Sequence, residues 1–125
     1  MIHGGQLDGT VETAPVDDWS FTHDVKKIQL ETRPADPYSV NVYCVAKGPS
    51  LWVTAGREEN TWAQNLVADP HVRVRVGERI FERRAVRVTD PREVELVLSL
   101  YEEKYDYERK PGGFGNPTQF RLDPP

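Results

Sequence analysis

Arg73, Arg75, Arg79, Arg83, Arg84, Arg87 and Arg92 crowd one stretch of this chain. A guanidinium fork matches phosphate or carboxylate in a bidentate way, so an anion site is the first chemistry they suggest. The plainer alternative is the solvated side of an amphipathic strand, balanced by Glu78 and Glu82. Other chemistries find less support. Ser20, Ser39, Ser50 and Ser99 have no nucleophile-elbow context, and a serine nucleophile needs an adjacent base. His3, His23 and His71 are scattered, and only His23-Asp24 are neighbours, so no metal centre is expected. Gly112-Gly113-Phe114-Gly115 is glycine-rich. It neither follows a strong strand nor opens a helix, so it reads as a loop folding over a neighbouring cleft rather than a nucleotide cradle.

The elements that must position such residues are short. Lys26 to Arg33 alternates, with Ile28, Leu30 and Thr32 on one face, as a half-buried strand requires. Arg33-Pro34-Ala35-Asp36-Pro37 breaks it, since proline cannot donate to a ladder. Tyr38 to Ala46 is the strongest strand, the turn at Lys47-Gly48-Pro49-Ser50 is of hairpin length, and Leu51 to Ala55 reads as the apolar return strand. Asn60 is placed to cap a helix reaching about Ala68, with Trp62, Ala63, Leu66 and Val67 as its apolar stripe. Asp69-Pro70 stops it. His71 to Val76 and Arg79 to Thr89 follow as paired strands, and the alternation slips near Glu82–Arg84 as though at a bulge. Asp90-Pro91-Arg92-Glu93 is a helix start, followed by Val94, Val97, Leu98, Tyr101 and Tyr105 at helical spacing. Thr118 to Leu122 reads as a closing strand.

These elements predict one domain over residues 1–125, with residues 1–19 as a loosely ordered arm and 106–117 as a Gly/Pro-rich loop. The fold class is mainly β (α+β). Six or seven antiparallel strands form a split β-barrel, with a short helix after the central hairpin and a longer one near the C-terminus. The turns at Gly48 and Gly77 are too short for a crossover, which dictates antiparallel pairing.

Composition narrows the function. The 125 residues are 38% hydrophobic and 29% charged, with net charge −4, which suits a folded soluble chain. The acidic balance disfavours a nucleic-acid groove but not a single phosphorylated ligand. No apolar run approaches the ~18 residues of a membrane span, and Met1-Ile2-His3-Gly4-Gly5 lacks the basic and apolar regions of a secretory signal. Cys44 stands alone. It reads as a buried small hydrophobe in a reducing compartment, and a cytoplasmic location is expected.

The segment Trp62-Ala63-Gln64-Asn65-Leu66-Val67-Ala68-Asp69-Pro70-His71-Val72, continued by Val74, follows the central hairpin. This order resembles the flavin-binding split β-barrel superfamily, which includes pyridoxamine 5'-phosphate oxidases and deazaflavin-dependent nitroreductases. In those proteins two hairpin strands lead through a loop into a helix patterned Trp-x-x-Asn-Leu-x-x-x-Pro-x-Val. The resemblance covers roughly residues 27–105, with Trp62, Asn65, Leu66, Pro70 and Val72 matching. Two departures stand out. The Gly-Arg-x-Ser-Gly segment of the nitroreductases is replaced by Thr32-Arg33-Pro34-Ala35-Asp36-Pro37, and the basic pair of the oxidases by Thr61-Trp62.

The resemblance implies a small-molecule oxidoreductase that uses FMN or a deazaflavin coenzyme for hydride transfer, as a homodimer with the cofactor across the interface. A barrel of this size also leaves an apolar face for a two-fold partner to cover. Carried over, the cofactor-binding residues are Asn41, Thr54, Ala55, Gly56, Arg57, Asn60, Trp62 and Asn65. Thr54 to Arg57 would line the loop, and Arg57 and Asn60 would meet the phosphate, aided by the helix start. Asn41 would face the ring or the phosphate arm, and Trp62 would pack the helix onto the barrel. No side chain is assigned as catalytic acid or base. Glu58 and Glu59 beside the loop oppose an anion. The alternative function is therefore a non-catalytic split barrel that binds another small ligand and has lost the cofactor.

Overall fold

The computed structural model describes residues 4–57, 59–106 and 118–125. Glu58 and most of the expected Gly/Pro-rich loop lie outside the described residues, as do Met1–His3. The elements in chain order are β1 (Thr10–Glu12), β2 (Lys27–Thr32), β3 (Tyr38–Lys47), β4 (Ser50–Ala55), α1 (Thr61–Ala68), β5 (His71–Val76), β6 (Arg79–Arg87), α2 (Pro91–Tyr105) and β7 (Thr118–Asp123). A short 3-10 turn, Ser20–Thr22, precedes β2.

The strands form one seven-stranded sheet in the order β1-β6-β5-β2-β3-β4-β7, and β7 returns to β6. Strands β2 to β7 therefore close a barrel in which every pairing is antiparallel. The exception to the expected pairing is β1, which runs parallel to β6. This is possible because residues 13–26 and the intervening strands, not a tight turn, separate the two.

Alternation explains the closure. Ile28, Leu30, Val40, Val42, Cys44, Leu51, Val53, Val72, Val74, Phe81, Phe120 and Leu122 all enter one apolar core. They fall at the alternate positions that a period of two sends to the same face. The apparent slip in β6 is not a bulge. Its register with β5 runs unbroken from Val76↔Arg79 to His71↔Arg84. The pattern looks irregular because Arg83 faces inward among apolar residues. Its Nε and Nη2 donate to the Leu122 carbonyl at 3.0 and 2.8 Å, and its guanidinium lies 5.0 Å from the Trp19 ring. Burial lowers its pKa.

Trp19 is the largest fully buried side chain, although the arm that carries it was expected to be loosely ordered. Its backbone N–H donates to the Gly48 carbonyl at 2.9 Å, and its indole packs edge-on to Phe81 with ring centroids 5.0 Å apart. Trp19 follows Asp17-Asp18 and belongs to no periodic run, so local pattern could not announce it. The arm is pinned further along by Leu7 N–H donating to Glu31 Oε2 at 2.6 Å and by Gly4 exchanging backbone bonds with Ser39.

Helix α2 lies outside the barrel and builds a second, smaller core from Val45, Trp52, Val88, Val97 and Tyr101. Its start is as expected: the Asp90 carboxylate accepts from Arg92 N–H at 2.9 Å, with proline in the first turn. Its end repairs a defect in the sheet. The β2–β3 ladder stops at Lys27↔Tyr43, so the next rung, Lys26 to Cys44, is open. The Tyr105 hydroxyl fills it. That hydroxyl accepts from Cys44 N–H at 3.1 Å, and its one proton is shared between the carbonyls of Lys26 at 2.7 Å and Cys44 at 2.6 Å. Lys104 Nζ also donates to the Cys44 and Thr22 carbonyls at 2.8 and 3.1 Å. No helix among the described residues is long and apolar enough to cross a membrane.

Candidate functional site

The period of two sorts the sequence-derived candidates onto different sides of the barrel wall. On β4, Trp52 and Thr54 face outward, opposite Arg121 and Gln119 of β7 in the register Trp52↔Arg121 and Thr54↔Gln119. Ala55 faces inward and is buried in the main core, as is Trp62 of α1, whose ring centroid lies 6.2 Å from that of Phe120. Trp62 thus packs the helix onto the barrel, as expected. Asn65 is also buried, and its Nδ2 donates to Thr32 Oγ1 at 3.0 Å, tying α1 to β2. Asn41 is exposed on the outer side of β3, paired with Gln29 of β2. Gly56, Arg57 and Asn60 belong to the connection between β4 and α1, where Gly56 and Arg57 are exposed. The eight candidates are therefore not one constellation. Thr54, Gly56, Arg57 and Asn60 cluster along β4 and its exit, Asn41 lies out on β3, and Ala55, Trp62 and Asn65 support the wall.

The outer face beneath the start of α2 is a polar network that sequence reasoning missed. Glu93 accepts from Trp52 Nε1 at 2.8 Å and from Arg121 Nη1 at 2.8 and 2.9 Å. Arg121 also donates to both Asp123 carboxylate oxygens, at 2.7 and 3.1 Å. These bonds, those to Asp123 above all, hold the Arg121 pKa above its ordinary value. At the next residue of α2, Gln119 Nε2 donates to the Val94 carbonyl at 3.3 Å. The signal that could have found Gln119 is its place in Thr118-Gln119-Phe120-Arg121-Leu122, where strict alternation puts glutamine on the face that α2 must cover.

Polar satisfaction on this face is incomplete. Among the described residues, Thr54 Oγ1 and Gln119 Oε1 are buried with no hydrogen-bond partner, and Trp19 Nε1 shares that condition in the interior. An orphaned buried polar atom costs about 1–3 kcal/mol and calls for an explanation. Asn60 occupies the position before α1, and its carbonyl accepts from Gln64 N–H at 3.0 Å, yet its side chain makes no capping bond. Arg57 makes no ion pair with the described residues. A cleft of about 460 Å³ beside α1 is lined by Glu59, Gln64, Val67 and Ala68, within the size range of ligand sites. A second, of about 260 Å³, lies by Arg73 and Arg83 but also holds Glu31 and Glu82. There Arg73 is committed to Glu31 at 3.3 Å and Arg83 to the Leu122 carbonyl, so neither guanidinium of this cleft is left open for an anion. No cluster of His, Cys, Asp and Glu among the described residues could hold a metal ion.

The Thr54–Asn60 region fits a flavin-type group. The Thr54 hydroxyl suits a heterocycle edge, and the Arg57 guanidinium, which makes no ion pair with the described residues, suits an anionic arm near a helix start. Glu59 opposes the latter.

Residues 30–115 match the model of the F420H(2)-dependent quinone reductase family. No curated protein matches this chain in sequence. Among solved structures, a Listeria innocua protein assigned as a pyridoxamine 5'-phosphate oxidase superposes with a TM-score of 0.66 at 15% identity, covering 84% of this chain and 88% of its own. A conserved hypothetical protein from Mycobacterium tuberculosis gives 0.67 at 21% identity, covering 82% and 74%. An F420-H2 dependent reductase, FDR-A, gives 0.63 at 18% identity, covering 79% and 95%. These likenesses establish the split-barrel fold.

Proposed function

We propose, from the premise that this chain belongs to the F420H(2)-dependent quinone reductase family, that it passes reducing equivalents from a reduced deazaflavin to a small quinone. The protein is a deazaflavin-dependent oxidoreductase of split-barrel fold. The non-catalytic alternative is not favoured. The bound cofactor supplies hydride chemistry, and the chain supplies binding and orientation.

Thr54 and Gly56 flank the ring, and Arg57 holds the anionic arm where the backbone donors of α1 begin. Asn60, with its side chain uncommitted, adds a donor there. Asn41 bounds the same outer face. Ala55, Trp62 and Asn65 set the wall without touching the ligand. The observation that carries this assignment is the sequence of uncommitted groups along one exit: orphaned Thr54 Oγ1, exposed Arg57, uncapping Asn60. Titrating the purified chain with the deazaflavin coenzyme and with FMN tests it. Binding at micromolar concentration or tighter is expected, with Arg57→Ala weakening it about tenfold, the worth of one charge-assisted contact. Binding unaffected by that substitution would remove Arg57 from the site. Oxidation of the reduced coenzyme by menadione, absent without protein, is the expected activity.

The chain acts as a homodimer. One similar structure is described as a domain-swapped dimer, and Tyr43 and Val11 leave apolar surface on the outer side of the barrel. Sedimentation at micromolar concentration should give twice the 14.3 kDa of one chain; a single-chain species would refute it.

A further inference from the structure

We infer that Glu59 determines which cofactor arm this chain accepts. The groove along the outer side of α1 rejects an arm that continues past its phosphate in carboxylates, and admits one that is uncharged there. This rests on the cofactor reading above and gives Glu59 a role within it.

The groove follows from the helix. Trp62, Ala63, Asn65 and Leu66 turn inward and are buried, so the remaining positions of α1 form its outer side. Gln64 and Ala68 stand one turn apart there, with Val67 beside them. These three and Glu59 line the cleft of about 460 Å³. The 8 residues of α1 rise about 12 Å. Bounded by Glu59 at one end and Ala68 at the other, the cleft is as long as the helix. It begins where the anionic arm ends in the reading above. Glu59 adjoins Asn60, whose carbonyl accepts from Gln64 N–H at 3.0 Å.

The charge along this groove is one-sided. Among the described residues that line it, Glu59 carries the only charge; it is exposed and makes no ion pair with the described residues. The rest is one amide and two apolar side chains, with Val67 66% exposed. A phosphate at the start of α1 is met by Arg57 and the helix donors. A carboxylate carried beyond it meets a like charge and no base. An uncharged extension meets an amide to bond and apolar surface to cover.

Screening sets the size of the effect. Two like charges about 4 Å apart in water repel by about fivefold in affinity, and added salt weakens this.

The test is a fluorescence titration of the full chain with three ligands. They are 5-deaza-FMN, its extension from the phosphate by a short glutamate chain, and the same extension with every carboxylate amidated. At low salt the wild type should bind the glutamate form about fivefold more weakly than its amidated twin. The gap should close as salt shortens the screening length from about 30 Å to about 3 Å. Glu59→Gln should close it at low salt, chiefly by raising affinity for the glutamate form. Glu78→Gln removes the same charge beyond the far end of β5 and should leave the gap in place. Equal wild-type affinities at low salt, a gap that survives Glu59→Gln, or one that Glu78→Gln closes equally well each overturns the inference and leaves the cofactor reading standing. Failure of the wild type to bind even unextended 5-deaza-FMN overturns both. The comparison of the two extended ligands needs only wild-type protein, so it decides the matter whatever the variants do.

Discussion

The inside of the barrel and the outer face beneath α2 are made from the same strands, yet they are built on opposite principles. Inside, apolar side chains meet from β2 to β7, and two indoles, Trp19 and Trp62, close the packing. Arg83 is the intruder, tolerated because a main-chain carbonyl and an aromatic face receive it. Outside, a few apolar contacts are interleaved with Glu93, Arg121, Gln119, Lys104 and Tyr105, each aimed at a particular atom. The first region stabilises by area and hardly cares about direction. The second depends on direction at every contact, so it is where an unfilled valence can be kept for a ligand.

Substitutions should separate the two. The largest effect is expected inside: Trp19→Ala should cost about 3–5 kcal/mol, since a fully buried indole leaves a cavity that strands cannot collapse into. Urea unfolding reads it, and a loss below about 1 kcal/mol would mean that the arm is not part of the core.

Tyr105→Phe removes one oxygen from the outer side and keeps the ring. With the open rung at Lys26 and Cys44 unfilled, a loss of about 1–3 kcal/mol is expected, more than a surface hydroxyl could give. An unchanged midpoint would show that water fills the rung equally well.

The same cluster sets an alkaline limit. Burial raises the pKa of the Cys44 thiol above 9.0 and of the Tyr105 phenol above 10.0. Both groups hold their protons more tightly when folded. Their contribution is therefore complete below the unfolded values and lost as pH climbs past about 9–10 towards the folded ones. Stability measured from pH 8 to 11 should fall, and Tyr105→Phe should flatten the upper part of that fall.

The smallest effect on stability falls on the loop. Arg57→Ala should leave the unfolding free energy within about 0.5 kcal/mol, since Arg57 is exposed and makes no ion pair with the described residues. Thermal melts with and without the coenzyme should then differ between wild type and variant only when it is present. A destabilised apo variant would make Arg57 structural and blur the division between the two regions.

Much of this was legible beforehand. The ranges of β2 to β7, α1 and α2 follow from alternation, helical spacing and the stops at Asp69-Pro70 and Asp90-Pro91, because those signals are local and repeat along each element. Trp62 as a packing residue was readable from the same stripe. Trp19, the parallel β1 and the inward Arg83 were not, since none belongs to a periodic run. The proposed site was legible only as a stretch, Thr54 to Asn60. Gln119, opposite Thr54 in the β4–β7 ladder, is distant in sequence and is brought there by closure of the barrel alone.

The sequence by itself determined which segments are strands and which face of each is apolar, because the backbone imposes a period of two on any half-buried strand. Only the tertiary structure decided which outward positions meet and that Tyr105 completes a broken ladder. Those outcomes depend on register and barrel closure, which link residues that no local pattern connects.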